Sequence, residues 1–138
     1  MALTVYLNSF SYLKSGIPED STGNGGGFVF DCRFILNPGR KDEFKFLTGK
    51  DTEVIKFLDG TELMQEFLKS VYEIIDKAVM NYTERNFTSL MISFGCTGGQ
   101  HRSVYAAEKT LRHIAGKFPE VTVNLRHIQI EKDLNLKA

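Results

Sequence analysis

The run Ser89-Leu90-Met91-Ile92-Ser93-Phe94 constrains the fold more than any other part of the sequence. It is short and almost wholly apolar, with no alternation that would leave one face to water. Such a run reads as a strand at the centre of a sheet, buried on both sides. Strands of that kind belong to parallel sheets, whose crossover connections carry helices. The flanks agree. Upstream, Leu63, Phe67, Val71, Ile74, Ala78 and Tyr82 recur at steps of three and four, which predicts a long amphipathic helix running to about Asn81–Arg85. Asp59 and Glu62 stand before it at the spacing of a capping box, and residues 51–58 form a shorter helix. Downstream, Val104, Ala107, Leu111, Ile114 and Phe118 mark another helix, ended near Gly116 and Pro119.

Three further strands are legible. Residues 3–8 alternate apolar and more polar side chains at period two. Residues 28–34 do the same, placing Phe28, Phe30, Cys32 and Phe34 on one face and Val29, Asp31 and Arg33 on the other. Asn37-Pro38-Gly39 then forces a turn. The last strand covers residues 121–125. Residues 15–27 form a flexible, glycine-rich loop, loosest at Asn24-Gly25-Gly26-Gly27. Strands alternating with helices indicate an α/β fold: a largely parallel or mixed central sheet flanked by helices, in a single Rossmann-like sandwich domain over residues 1–138.

Composition narrows the function. Lysine plus arginine equals aspartate plus glutamate at 17 each, so no global charge draws the chain to nucleic acid or membrane. Nothing in the sequence is long and apolar enough to span a bilayer, and Met1-Ala2-Leu3-Thr4 lacks the basic flank of a signal peptide. Cys32 and Cys96 do not make a disulfide framework, which points to a cytoplasmic, thiol-reduced protein. No His, Cys, Asp or Glu spacing suggests a zinc site, and no cofactor is expected. His113 and His127 read as surface or packing residues.

The chemistry concentrates in Gly95-Cys96-Thr97-Gly98-Gly99-Gln100-His101-Arg102-Ser103, between the central strand and a helix. In open α/β sheets ligands bind beyond the carboxyl ends of the strands, where helix N-termini present unpaired N–H groups. Gly98 and Gly99 permit torsions that turn several N–H groups onto one anion. Thr97 and Ser103 add hydroxyls, Gln100 an amide, Arg102 a planar fork suited to phosphate, and His101 a titratable donor. Asp31 and Arg33 are either an ordinary surface pair or neighbours of this loop, Asp31 accepting from sugar hydroxyls and Arg33 pairing with phosphate. The Walker pattern G-x-x-x-x-G-K-S/T is absent.

Cys96, Arg102 and Ser103 also spell C-x5-R-S, which resembles the signature loop of the cysteine phosphatases. That resemblance implies a Cys96 nucleophile with Arg102 holding the phosphoryl oxygens. Gly95 stands where those enzymes have histidine, and no general-acid loop is evident beyond Asp31. Cys96 reads instead as a small buried residue filling a crowded turn.

A longer motif, GCTGGQHRS followed by Val104-Tyr105, resembles the C-terminal domain of the RapZ RNase adapter family of bacteria. Supporting segments follow in order: Ser9-Phe10 with Lys14-Ser15-Gly16-Ile17-Pro18; Phe30-Asp31-Cys32-Arg33-Phe34 with Asn37-Pro38, similar to the family's FDVRFLPNP; and Leu47-Thr48-Gly49-Lys50-Asp51, similar to LTGLD. The likeness covers about residues 3–127. It implies a non-catalytic sensor domain for an amino-sugar phosphate such as glucosamine-6-phosphate, with a small RNA and a ribonuclease as partners, homo-oligomer assembly, and no N-terminal Walker-type nucleotide-binding domain in this chain.

Overall fold

The computed structural model describes residues 2–24 and 26–137. Gly25, in the tract read as loosest, lies outside the described residues, as do Met1 and Ala138. The chain runs β1 (Thr4–Ser11), β2 (Gly27–Asp31), α1 (Thr52–Asp59), α2 (Glu62–Glu84), β3 (Ser89–Cys96), α3 (Arg102–Lys117), β4 (Thr122–His127) and α4 (Ile128–Lys137), with two short 3-10 turns at Pro38–Arg40 and Asp42–Phe44. The sheet order is β2-β3-β1-β4. All three pairings are parallel, so the sheet is parallel throughout rather than mixed.

Every residue of β3 is buried, as its composition requires of a strand flanked on both edges. The crossovers from β2 to β3 and from β3 to β4 move in the same direction along the sheet. Right-handed connections therefore put their helices on one face. Val5 and Leu7 of β1 and Leu90, Ile92 and Phe94 of β3 meet Val54 and Leu58 of α1, the Met64-Leu68-Val71-Ile75-Val79 stripe of α2, and Tyr105 and Ile114 of α3. Each such side chain contributes about 1.5–3 kcal/mol on burial. On the opposite face Tyr6, Asn8 and Met91 look toward residues 18–22, where the Asp20 carboxylate accepts from the Thr22 N–H and hydroxyl and from the Gly26 N–H.

Two local expectations are corrected, and one element was not foreseen. The second strand ends at Asp31, and Phe34 is 58% exposed rather than on the buried face. The chain turns there, because the Ile35 N–H closes on the Cys32 carbonyl at 3.2 Å. The cap of α2 is Thr61, and Asp59 belongs to α1, where it accepts the Tyr105 hydroxyl at 2.6 Å. The C-terminal residues form α4, which has no strong apolar stripe to announce it. It is held instead by polar contacts, Gln100 to Asp133 at 2.6 Å and Arg126 to Glu131 at 2.7 Å.

His127 is a packing residue, as its surroundings in sequence suggested. Its Nδ1 lies 2.6 Å from the Ser9 hydroxyl and its Nε2 3.4 Å from the Glu108 carboxylate. Ser9 is fully buried, so the group is a clip between β1, β4 and α3 rather than an exposed nucleophile. Burial lowers the His127 imidazole below its ordinary 6.5, with Lys50 adding to the shift and Glu108 and Glu131 opposing it. On acidification the unfolded chain therefore takes up this proton first. The clip's stability is complete above pH 6.5 and declines as pH falls below it through the folded-state value. Urea titrations from about pH 7.5 to about pH 5 are expected to show unfolding free energy falling across this window. His127→Gln, which keeps a hydrogen-bonding group but does not titrate, should flatten that slope.

Candidate functional site

Parallel strands end together, so the register of β3 with β1 and β2 brings their following loops to one edge of the sheet. Asp31 of β2 lies beside Gly95, and Ser11 of β1 beside Cys96. The Cys32 N–H continues the ladder by donating to the Gly95 carbonyl at 2.7 Å. The Ser11 hydroxyl anchors the start of the glycine loop by donating to the Thr97 carbonyl at 2.6 Å. Gly99 turns back at φ +70°, where a Cβ would come within 2.9 Å of both the Ser11 backbone and the Gln129 side chain. Only glycine fits both the torsion and the space. Among the described residues no protein acceptor lies within hydrogen-bonding reach of the N–H groups of residues 98–102. Unpaired N–H groups gathered at the start of a sixteen-residue helix make a region of positive potential.

Arg102 is the most heavily committed side chain here. It is only 3% exposed, and its Nη1 donates to the carbonyls of Arg33 at 2.9 Å and Ile35 at 2.8 Å. Its Nη2 is 3.5 Å from the Thr97 hydroxyl, and its Nε is buried without an acceptor. A guanidinium offers five N–H donors. The acceptors that reach them here are neutral oxygens, and no carboxylate is bonded to the guanidinium.

Arg102 is among the residues lining a cavity of about 490 Å³, together with Arg33, Phe34, Leu36, Asn37, Arg40 and Thr97. Asp31 and Arg33 make a bidentate, half-exposed pair, with contacts at 2.6–3.0 Å. The hydrogen bonds from Arg33 hold the Asp31 carboxyl below the usual range, and Arg102 adds to this. The Arg33 guanidinium also lies 3.8 Å from the centre of the Tyr12 ring, which fixes its direction.

The structure thus brings Thr97, Arg102 and Arg33 together around one space, while Asp31 is paired to Arg33 without itself lining it. It draws others away. Gln100 donates to Asp133 of α4, and its carbonyl accepts from the Gly49 N–H at 2.7 Å. The His101 Nε2 donates to the Phe44 carbonyl at 3.0 Å. Ser103 and Cys96 are buried against each other, hydroxyl to sulfur at 3.1 Å. Gly98 is exposed and open. Sequence reasoning gave Asn37 to a turn rather than a contact and did not single out Arg40. Asn37 serves both as a turn cap, accepting from the Gly39 N–H at 2.9 Å, and as cavity wall. The Pro38–Arg40 turn is legible in sequence, but nothing there says that it faces residue 102.

Because Arg102 holds the turn after β2 against the loop after β3, Arg102→Ala is expected to cost about 3 kcal/mol, the scale for losing charged hydrogen bonds from a buried site. Chemical denaturation should show that drop, whereas Arg40→Ala should leave the midpoint nearly unchanged.

Among the described residues no cluster of three His, Cys, Asp or Glu side chains is placed to hold a metal ion, and no helix is long and apolar enough to cross a membrane. Residues 3–131 match the family profile described as the RapZ C-terminal domain. Relatives named "Nucleotide-binding protein" include one from Caldicellulosiruptor bescii, 38% identical over 96% of this chain, and one from Fervidobacterium nodosum, 37% identical over 91%. Another, from Chromobacterium violaceum, is 34% identical over 95%. In each case the match covers 43% of the relative, so the chain spans less than half the length of these proteins. With its motifs, its strand–loop–helix edge and a match that runs through nearly every element, this chain belongs to the RapZ C-terminal domain family.

Proposed function

We propose that the domain is a non-catalytic sensor that binds a phosphorylated metabolite, an amino-sugar phosphate such as glucosamine-6-phosphate, between the 33–40 turn and the 97–103 loop. One observation carries this reading: a buried guanidinium with no carboxylate partner lines a cavity with two further arginines and a hydroxyl. In this reading Arg102, Arg40 and Arg33 neutralise the phosphate, and the free N–H groups of the loop donate to one of its oxygens. Asn37 and the Arg33-paired carboxylate of Asp31 face the sugar's hydroxyl and amino groups. The RapZ resemblance adds a regulatory role in the bacterial cytoplasm, with a small RNA and a ribonuclease as partners and a homo-oligomeric assembly. The relatives' name, nucleotide-binding protein, belongs to proteins more than twice as long, and this chain carries no Walker sequence.

The phosphatase reading is disfavoured by geometry. Cys96 is 2% exposed and its sulfur is engaged by the Ser103 hydroxyl and N–H, while Nη1 of Arg102 is spent on two carbonyls. A nucleophile needs an open approach to the reacting phosphorus. Aryl phosphate turnover should stay at background, and Cys96 should alkylate slowly in the folded protein.

Isothermal titration with glucosamine-6-phosphate tests the proposal. Saturable binding is expected, with inorganic phosphate weaker and unphosphorylated glucosamine silent. Arg40→Ala should weaken binding by roughly tenfold or more, the scale of a charge-assisted hydrogen bond. Unchanged affinity in Arg40→Ala, or equal binding of glucosamine, would remove the cavity from the account.

A further inference from the structure

Cys32 and Cys96 sit side by side. The β2–β3 register pairs Phe30 with Phe94 and Asp31 with Gly95, and the Cys32 N–H to Gly95 carbonyl bond carries the parallel ladder one residue further. That step sets Cys32 beside Cys96. The alternation of side chains puts both on the face where the Phe30 and Phe94 rings stack at 5.5 Å, and both belong to the same buried cluster. Both are free thiols. Neighbouring strands lie about 4.8 Å apart, inside the roughly 4.4–6.8 Å Cα separation that a disulfide spans. Cys32 also lies just past the last residue of β2, where the backbone can give the small shift that closure needs.

We propose that Cys32 and Cys96 are a redox pair that closes to a reversible intramolecular disulfide when a peroxide reaches the edge of the sheet. Cys96 is the sulfur that meets the oxidant. It stands ahead of α3, with the Ser103 hydroxyl 3.1 Å and the Ser103 N–H 3.5 Å from its sulfur. The sulfur attacks one peroxide oxygen; the O–O bond breaks, Cys96 becomes a sulfenic acid, and one water leaves. The Cys32 sulfur then attacks the Cys96 sulfur. The S–S bond forms, the S–O bond breaks, and the departing hydroxide takes the Cys32 proton as a second water. Two thiols are oxidised by two electrons and one peroxide is reduced by two. Desolvation raises the Cys32 thiol well above its ordinary value, which leaves Cys96 rather than Cys32 to make the first attack.

Neither cysteine lines the arginine-lined cavity, but each adjoins a residue that does: Thr97 follows Cys96, and the Ile35 N–H bonds the Cys32 carbonyl. Closing the bond takes the Cys96 sulfur from Ser103, in the first turn of α3 and next to Arg102. Oxidation then alters the geometry of the anion site. This regulatory consequence rests on the function proposed above, whereas the disulfide itself does not.

The test treats the folded chain with hydrogen peroxide, a reagent close to water in size, then denatures it, blocks free thiols and maps the peptides by mass spectrometry. The expected product lacks two hydrogens, joins the Cys32 and Cys96 peptides within one chain, and reverts with dithiothreitol. Cys32→Val, an apolar replacement of similar size, should fold as judged by circular dichroism and should give no such product, with Cys96 progressing to sulfenic and sulfinic acids instead. Both thiols still free after treatment, a disulfide only between chains, or overoxidation of the wild type without the internal link would each overturn the proposal. None of these outcomes depends on whether the cavity binds a phosphate.

Discussion

A guanidinium buried to 97% without an acid to neutralise it is a costly thing to place inside a protein, and much of the functional edge of this sheet is arranged around it. Arg102 reaches from the first turn of α3 to the carbonyls of Arg33 and Ile35, joining the connection after β3 to the turn after β2. Those carbonyls lower the cost of burial but do not cancel the charge. The Nε proton has no acceptor, and the nearest carboxylate, Asp31, is already held by Arg33. What results is a fixed cation, screened from water and facing a cavity that two more arginines share. A preorganised positive site of this kind exerts a stronger pull on an anion than the same charges on a solvated surface.

The rest of the fold serves that placement. Parallel pairing is what brings the ends of β1, β2 and β3 to one level, and the buried β3 fixes the register between them. α1, α2 and α3 close one face of the sheet and hold β3 rigid. The loop itself is tied from both sides: Ser11 of β1 holds the Thr97 carbonyl, the Gly49 N–H holds the Gln100 carbonyl, and Phe44 holds His101. Three residues that sequence reasoning assigned to the ligand are thus spent on positioning the loop or its helix, namely Gln100, His101 and Ser103. In the proposed function, anion recognition falls to Arg33, Arg40, Arg102 and Thr97.

That shift marks where the sequence was readable and where it was not. The central strand, α3 and the extent of α2 were plain because burial and amphipathicity are written in periods of two and 3.6 along the chain itself, but the buried stripe of α2 runs through Met64, Leu68 and Ile75 and leaves Leu63 and Ile74 exposed. The glycine loop was plain because its residue types have few other uses between a strand and a helix. α4 was hidden because polar side chains fasten it, and these make no periodic pattern. Phe34 was misplaced because a turn at residues 32–35 interrupts an alternation that continues in sequence. Arg40 and the true partners of His101 were invisible for a simpler reason: each is a contact between segments about 60 residues apart, and no local signal encodes it.

The central claim is that the edge formed by the 33–40 turn and the 97–103 loop recognises phosphate, and backbone amide chemical shifts followed by NMR during titration with inorganic phosphate address it most directly. The account requires saturable shifts at the amides of residues 98–102 and at the Arg102 Nε–H, with little change along the exposed faces of α2 and α3. Shifts confined to Lys50, Lys109 and Arg112, or no saturation at any amide of the loop, would contradict it.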